Sequence, residues 1–447
     1  MSLVFMPGRS LSALLYRSLL TLCLALVSTS ALAVLPIQQW QTSSGVNVLF
    51  VQADGIPMLD VEVRFDAGDR LDSADKSGLA DLTASLLDAG AGDLDEQGIA
   101  DAFAMLGAQR SSWSSMDSAS VRLRSLTSEP ELSRALSLVT DMIVRPRFND
   151  QVLAREKQRA VLSIGNALKR PGVQMRRAYV DLSYPDHPYG LLTTIESVNA
   201  ISADDLRQFH RQHFVQSRAA VAMIGAISRE QAAAVAEQLV GELPMGQAGN
   251  TLPDVVAPTP TEKLIAHPAT QSHIVVGAPL IARGDPDYFP LLVANHVLGG
   301  GGFVSRLYKQ VREERGLVYS VSSGFSLRSQ PGPFSISLQT RREKTGEALG
   351  VVRDELNRFA ADGITQAELD ASTSNLAGGF ALSIDSNSKI LSLLGAIGYH
   401  GLPLDYLETW PGKVRAVTLD QVNDAIKRRI QPDQMLTVVV GETDFKN

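Results

Sequence analysis

Cysteine is nearly absent from this sequence. Of its 447 residues only one is a cysteine, Cys23, and it lies in the apolar run of residues 19–27. A chain that loses this run carries no thiol, so disulfide bonds, thiolate nucleophiles and cysteine-based zinc sites are excluded from the mature protein.

A long apolar run is also missing. The run at residues 19–27 is shorter than the roughly 20 residues that span a bilayer. Arg9 and Arg17 precede it, and residues 31–33 read Ala-Leu-Ala, the small-x-small form of a signal peptidase site. We therefore interpret residues 1–33 as a secretory signal peptide, and a membrane anchor is the alternative.

Basic residues are outnumbered in this chain. It has 41 lysines and arginines against 48 aspartates and glutamates, which gives a formal net charge of −7. Such an acidic chain is a poor ligand for nucleic acid or anionic lipid. Its 45% hydrophobic and 20% charged residues are ordinary for a globular protein. Its length exceeds what one core usually serves, so we expect two domains of about 200 residues each.

A proline-rich stretch without apolar periodicity divides the chain. It covers residues 243–261 and contains Pro244, Pro253, Pro258 and Pro260. Such a composition is typical of a linker. We place an N-terminal domain at residues 34–243, the linker at 244–262 and a C-terminal domain at 263–447.

The two halves repeat one order of elements. Each begins with an alternating strand, at residues 60–65 and 273–277, followed by an acidic turn and an apolar helix. Each ends with a capped helix, at Ser202 and Thr418, and then an apolar strand. This order predicts an α+β fold of two homologous domains, each an antiparallel-rich β-sheet packed with helices. Duplication would explain the repeat, and chance similarity is the alternative.

Several features together carry a resemblance to a known family. Residues 77–90 read SGLADLTASLLDAG, residues 299–319 begin with four glycines, and the duplication and linker frame both segments. These features resemble the pitrilysin/insulinase metallopeptidases, which include the mitochondrial processing peptidase and paired bacterial periplasmic peptidases. The resemblance covers essentially the whole mature chain. It implies the duplicated metallopeptidase fold of LuxS and the processing peptidases and, with the signal peptide, a periplasmic location.

The zinc positions that the resemblance implies carry no zinc ligands. In active members Gly-Leu-Ala is followed by His-x-x-Glu-His, whose histidines share a zinc ion while the glutamate polarises the bound water. Here those positions hold Asp81, Ala84 and Ser85. The third ligand is a glutamate seven residues after a bracing glutamate; Glu156 fits the brace, and Ser163 stands at the ligand position. The resemblance therefore predicts no catalytic zinc and no other cofactor in this chain.

Two other groups have residue types that bind metals. His210 and His213 have ligand-like spacing, but basic residues also suit the C-terminal end of a helix. An acidic cluster lacks the spacing of a calcium loop and is typical of a solvated turn. It consists of Asp88, Asp93, Asp95 and Glu96. A further option is an unforeseen metal at Asp81.

The second half keeps a segment that the family uses to hold substrate. Four glycines at residues 299–302 end one helix, residues 305–315 form the next, and residues 317–323 form a strand. Arg312 and Tyr319 match an Arg and Tyr pair that resembles a clamp on the substrate backbone beyond the scissile bond. Helix-dipole and strand-packing roles are the alternatives for the pair. A phosphate cradle is the alternative for the glycines, although no Gly-Lys-Ser/Thr follows.

The family also pairs extended substrate with an edge strand beside the zinc helix. The corresponding run, residues 107–117, has Ser111 where the family has asparagine. Because strand pairing uses backbone groups only, this edge could accept peptide. A plain structural strand is the alternative.

These features predict a non-catalytic, clamp-bearing subunit of a heterodimeric periplasmic zinc metalloendopeptidase that acts on peptides. Its partner would be a homologous chain that carries His-x-x-Glu-His and the zinc ion, and this chain alone would not be an enzyme. The alternative is a non-enzymatic periplasmic scaffold, a homodimer that binds peptides without cutting them.

Overall fold

The structure is a computed structural model that describes residues 36–249 and 251–445. The predicted signal peptide at residues 1–33 lies outside the described residues. Among the residues that are described, no helix has the length and apolar character needed to cross a membrane. From Ile37 onward the chain forms one compact unit.

A six-stranded sheet organises the first half. The strands of this half are β1 (Gln38–Gln41), β2 (Asn47–Gln52), β3 (Met58–Phe65), β4 (Gly90–Ala91), β5 (Leu94–Asp95), β6 (Gln109–Ser114), β7 (Ala119–Leu126) and β8 (Ala219–Gly225), and β4 and β5 form a separate two-stranded sheet. The helices are α1 (Leu79–Ser85), α2 (Glu96–Leu106), α3 (Glu131–Val144), α4 (Asp150–Ala167), α5 (Pro171–Ser183), α6 (Ile195–Ala200), α7 (Ala203–His213) and α8 (Arg229–Val240). The sheet order is β1-β2-β8-β3-β7-β6, and its neighbours are antiparallel except for β2 and β8.

A five-stranded sheet organises the second half. The strands are β9 (Glu262–Ala266), β10 (Gln271–Ile281), β11 (Val318–Phe325), β12 (Gly332–Arg341) and β13 (Leu436–Gly441). The helices are α9 (Tyr288–Asn295), α10 (Thr345–Asp362), α11 (Gln366–Gly379), α12 (Asn387–His400), α13 (Tyr406–Arg415) and α14 (Leu419–Arg429). The order is β11-β12-β10-β13-β9, with only β9 and β13 parallel. Both halves thus pack helices on an antiparallel-rich sheet, which confirms the predicted α+β class.

The capped helices near the end of each half form as predicted. The Ser202 hydroxyl accepts a hydrogen bond from the amide of Asp205 at the start of α7. The Thr418 hydroxyl accepts one from the amide of Gln421 at the start of α14. The strands that follow, β8 and β13, are largely buried because both of their faces are covered by helices.

Each half contributes one helix that packs on the sheet of the other half. Helix α5 packs on β10 and β13, where Tyr179 donates a hydrogen bond to the carbonyl oxygen of Phe334. Helix α12 packs on β2, β3 and β8, and a Cβ added at Gly398 would lie only 2.9 Å from a methyl carbon of Leu49. This exchange of helices joins the two sheets into one unit.

Candidate functional site

Helix α1, on which the resemblance places the metal ligands, begins at a glycine held by a buried aspartate. Gly78 has a φ of 103°, and an added Cβ would lie 2.9 Å from the Thr193 side chain, so glycine is required there. The Asp72 carboxylate accepts hydrogen bonds at 2.7, 3.1 and 2.9 Å from the backbone amides of Gly78, Leu79 and Ala80. These bonds satisfy amides that a helix start leaves free, and they fix the position of α1.

The three positions of the zinc motif on α1 do not form a zinc site. Ala84 is fully buried, whereas Asp81 and Ser85 are exposed. The Ser85 hydroxyl donates a hydrogen bond to the carbonyl oxygen of Leu82 at 3.2 Å, within its own helix. One carboxylate and one hydroxyl do not replace two imidazole ligands and a carboxylate base. The helix also ends at Ser85, earlier than the apolar pattern up to residue 90 predicts.

Three carboxyl groups gather around the start of α1. Burial raises the pKa of Asp72 to about 7, against the lowering effect of the amide hydrogen bonds. Burial also raises the pKa of Asp69 to about 6, against a hydrogen bond from Ser114, and the charge of Asp81 adds to the rise. The Asp81 side chain is open to solvent, yet the surrounding protein desolvates it enough to raise its pKa. The region is therefore acidic, and burial shifts the pKa of all three carboxyl groups upward.

The two other predicted positions lie on helix α4. Ser163 is exposed, and within the described residues no hydrogen bond joins it to α1. Glu156 accepts hydrogen bonds from the guanidinium groups of Arg155 and Arg159, both at 2.8 Å. Its charge is thus paired with cations of its own helix.

The two histidines with ligand-like spacing lie in packed surroundings. His210 is buried, and its Nε2 donates a hydrogen bond to the carbonyl oxygen of Ile143 at 2.8 Å. Burial lowers the pKa of His213 to about 4, and the charges of Arg218 and Arg70 contribute to the lowering. In the part of the chain that the structure describes, no three His, Cys, Asp or Glu side chains gather as a metal site.

Strand β6 forms an edge of the first sheet and lies beside α1. Among the described residues it pairs only with β7, so its outer backbone groups have no strand partner. Ser111 lies in the middle of β6, and Ser114 at its end donates a hydrogen bond to the carboxylate of Asp69. The predicted edge strand beside the degenerate helix is confirmed, whereas its pairing with peptide stays a prediction.

In the second half the glycine-rich segment at residues 299–302 packs closely against strand β11. The chain forms a π-helix at His296–Gly300, and a Cβ added at Gly299 would lie 2.6 Å from the backbone nitrogen of Ser323. The helix predicted at residues 305–315 contains a second π-helix at Tyr308–Glu313. It stops before Gly316, whose φ of 61° is the predicted left-handed exit. π-Helices are rare and occur frequently at functional sites.

Arg312 and Tyr319 meet on the surface of this segment. The guanidinium carbon of Arg312 lies 5.1 Å from the ring centroid of Tyr319 and 4.7 Å from that of Tyr308. Arg312 also donates a hydrogen bond to the Tyr308 hydroxyl. Tyr319 is 82% exposed, and Phe303, which is 72% exposed, packs edge-on against Tyr308. We call these four side chains the Arg312 surface. It is cationic and aromatic, and in it Tyr319 and Phe303 are exposed, Arg312 is half-buried and Tyr308 is buried.

Sequence reasoning missed Tyr308 and Phe303 in this surface. Tyr308 stands four residues before Arg312, the spacing at which helical side chains meet, so a signal was available. Phe303 follows four glycines without any periodic pattern, and no signal in the sequence predicts its exposure. Asp72 was also missed, although an acid shortly before a helix start is a common capping feature.

Two family descriptions match the sequence. Residues 48–180 match "Insulinase (Peptidase family M16)", and residues 200–376 match "Peptidase M16 inactive domain". The chain is 28% identical over 276 residues to an uncharacterized zinc protease of Streptomyces coelicolor, a match that spans 60% of each chain. It is 24% identical over 399 residues to a Helicobacter pylori protein named a non-peptidase homolog, across 89% of this chain and 92% of that protein.

Solved structures share the fold. The crystal structure of a peptidase M16 inactive domain from Pseudomonas fluorescens matches with a TM-score of 0.89 and 34% identity, across 92% of this chain and 99% of that chain. The periplasmic protease PqqL of Escherichia coli matches with a TM-score of 0.78 and 18% identity, across 91% of this chain but 46% of that chain. The protein therefore belongs to the insulinase family of peptidases, family M16, as a zinc-less member that matches its inactive domain.

Proposed function

We propose that this protein is the non-catalytic, substrate-positioning subunit of a heterodimeric zinc metalloendopeptidase that acts on peptides in the periplasm. The observation that carries the proposal is the Arg312 surface, in which a half-buried guanidinium lies over the buried ring of Tyr308 and the exposed ring of Tyr319. The chain that carries it lacks the family's two histidines and two glutamates, whose positions are occupied by Asp81, Ala84, Ser85 and Ser163. A surface suited to peptide thus occurs in a chain that needs another source of catalysis.

Arg312 has the chemistry to bind a peptide backbone. Stacking between Tyr308 and Tyr319 orders its guanidinium without neutralising the charge, so N–H groups remain to donate to a carbonyl oxygen. The exposed hydroxyl of Tyr319 is a second donor. Each hydrogen bond of this kind contributes about 1–3 kcal/mol where water is excluded.

The free edge of strand β6 offers a second way to hold extended peptide. Its outer backbone amides and carbonyls have no strand partner among the described residues, and they lie beside helix α1. An added strand would satisfy these groups whatever its sequence, which suits a protease with broad substrates.

A zinc-bearing homologous chain would supply the reaction. Its His-x-x-Glu-His motif would hold a zinc ion that activates water for attack on the peptide bond. The match to PqqL occupies 46% of that protein, so a periplasmic protease of this fold is long enough for two units of the present size. This length supports pairing, and the predicted signal peptide at residues 1–33 supports the same compartment.

The experiment is reconstitution with a homologous chain that carries His-x-x-Glu-His, followed by turnover of a quenched fluorescent peptide. We expect Arg312→Ala and Tyr319→Phe each to lower kcat/KM by about 10- to 100-fold, the equivalent of one lost transition-state hydrogen bond. The matched control is Arg315→Ala, because Arg315 is an exposed arginine of the same segment that bonds to Gln310. This control should leave turnover within about twofold.

The outcomes separate the two candidate roles. Unchanged turnover in both Arg312→Ala and Tyr319→Phe would remove the clamp role. A chain that binds peptide as a homodimer and never raises the partner's turnover would favour the non-enzymatic scaffold.

A further inference from the structure

A cavity of about 480 Å³ lies in the second half, between helices α11, α12 and α13 and the turn after β10. Its wall is mainly apolar and aromatic. The rings of Phe380 and Trp410 stack with centroids 4.5 Å apart, and Tyr288 and Tyr406 also line the space. The volume is within the range of small-molecule sites, roughly 300–1,000 Å³.

One cation, Arg283, lines this aromatic cavity. Its Nε atom is buried and has no hydrogen-bond partner, and its guanidinium forms no ion pair with any described residue. Burial lowers the pKa of Arg283, while the neighbouring Tyr406 and Tyr288 oppose the lowering. A guanidinium stays charged even so, and an unpaired donor in such a place is costly unless something binds to it.

Among the described residues no acidic side chain forms an ion pair with Arg283. The acid that acts on it is Asp117, whose carboxylate already accepts hydrogen bonds from the Tyr189 hydroxyl at 2.6 Å and the Ser329 amide at 2.9 Å. Arg64, the other cation that acts on Arg283, is itself paired with the carboxylate of Glu62, so Arg283 is the cation that faces the cavity. The potential at this wall of the cavity is therefore positive, which favours an anion.

We propose that the cavity binds a small monocarboxylate with an apolar body, its carboxylate on Arg283 and its aryl or alkyl part against Phe380 and Trp410. Guanidinium and carboxylate form charge-assisted, often bidentate hydrogen bonds, and the terminal nitrogens of Arg283, which have no partner among the described residues, are the donors that a ligand in the cavity would meet. The aromatic wall would bury the apolar part of the ligand. This site is separate from the Arg312 surface and does not depend on a zinc-bearing partner.

Two sources can supply this chemistry: the free C-terminus of a peptide that ends in an apolar residue, and a free aryl or alkyl acid. The first probe is 3-phenylpropanoate, compared with its neutral amide, in calorimetry and in tryptophan fluorescence that reports on Trp410. The second probe is a tripeptide that ends in phenylalanine, with a free or an amidated C-terminus. Binding of the free tripeptide as tight as that of 3-phenylpropanoate would identify peptide ends, and binding of the small acid alone would identify free acids.

Two glycines provide a matched pair of variants. Gly379 lines the cavity and Gly378 does not, and a Cβ added to either meets no atom within 4 Å. Gly379→Leu should fill the cavity and weaken binding of 3-phenylpropanoate at least tenfold, whereas Gly378→Leu should change it less than twofold. Arg283→Gln should remove the preference for the acid over its amide.

The wild-type protein is expected to bind the acid at least tenfold more tightly than the amide. The proposal is overturned if neither probe binds saturably, if acid and amide bind equally, or if Gly378→Leu weakens binding as much as Gly379→Leu.

Discussion

The buried carboxylate of Glu62 on strand β3 lies where the two halves are joined, and replacing it tests how much that contact contributes to stability. Its fully buried carboxylate accepts hydrogen bonds from Arg64 at 2.8 and 2.6 Å and from Arg122 at 2.7 Å. Arg122 also donates to the hydroxyl of Ser392 on helix α12 at 2.9 Å. A Cβ added at Gly395 of α12 would lie 3.0 Å from the Glu62 carboxylate. One carboxylate thus holds two guanidinium groups beneath the exchanged helix.

Glu62→Gln keeps the shape of the side chain and removes its charge. Two partly buried guanidinium groups then lose their counterion, and breaking a buried pair in this way costs about 3–5 kcal/mol. Because the side chains of Arg64 and Arg122 remain 15% and 24% exposed, water compensates part of the loss, and we expect about 3 kcal/mol.

The assay is urea unfolding followed by tryptophan fluorescence and circular dichroism. The control is Glu347→Gln, which breaks a surface pair with Lys344 at 2.6 Å and should change the free energy of unfolding by less than about 1 kcal/mol. A Glu62→Gln protein as stable as this control would show that Glu62 does not stabilise the junction of the two halves through its charge.

Three further predictions concern packing, protonation and the lost metal site. Gly277→Ala should destabilise the protein by about 1–3 kcal/mol in urea unfolding, because its Cβ would collide with the Phe334 carbonyl oxygen. Gly350→Ala, whose Cβ meets open space in helix α10, should stabilise the protein by about 0.5–1 kcal/mol. The reverse order of the two alanine variants would contradict this packing. Burial holds the pKa of His213 at about 4 in the folded protein, below its ordinary 6.5. Between pH 6.5 and 4 the unfolded state therefore binds a proton that the folded state does not bind. The free energy of unfolding of the wild type consequently falls as the pH drops through this range. His213→Gln should flatten that slope in unfolding measured from pH 4 to 7, and an unchanged slope would show that His213 is not its cause. A variant that combines Asp81→His, Ala84→Glu, Ser85→His and Ser163→Glu restores the family's zinc-site residues and should bind zinc. Binding is measured as the metal that the protein retains after dialysis, and circular dichroism checks that the variant is folded. A folded variant that retains no zinc would contradict the alignment with the family motif.

The fold class was predictable because its signals are local. The alternation in β3, the apolar runs of β8 and β13, and the caps at Ser202 and Thr418 are each set by a few neighbouring residues. The exchange of helices α5 and α12 was not predictable. It depends on contacts between residues far apart in sequence, such as Tyr179 with Phe334, for which a single sequence carries no pattern.

The candidate site was predictable only in part. The missing ligands at Asp81, Ala84 and Ser85 can be read from the residue types alone. The hydrogen bonds from the Asp72 carboxylate to the start of α1 were not predicted, because they form only when the chain turns back on itself between Asp72 and Gly78. The contact of Tyr308 with Arg312 could have been read from their four-residue spacing, whereas the π-helical turn that contains them could not, because helical periodicity does not distinguish a π-helix from an α-helix.

The most direct test of the central claim is the zinc content and peptide hydrolysis of the purified single chain, measured with chelator and then with added zinc. We expect zinc far below one equivalent per chain and no chelator-sensitive hydrolysis until a homologue with His-x-x-Glu-His is added. Near-stoichiometric zinc, together with hydrolysis that chelator abolishes and zinc restores in the lone chain, would contradict this expectation.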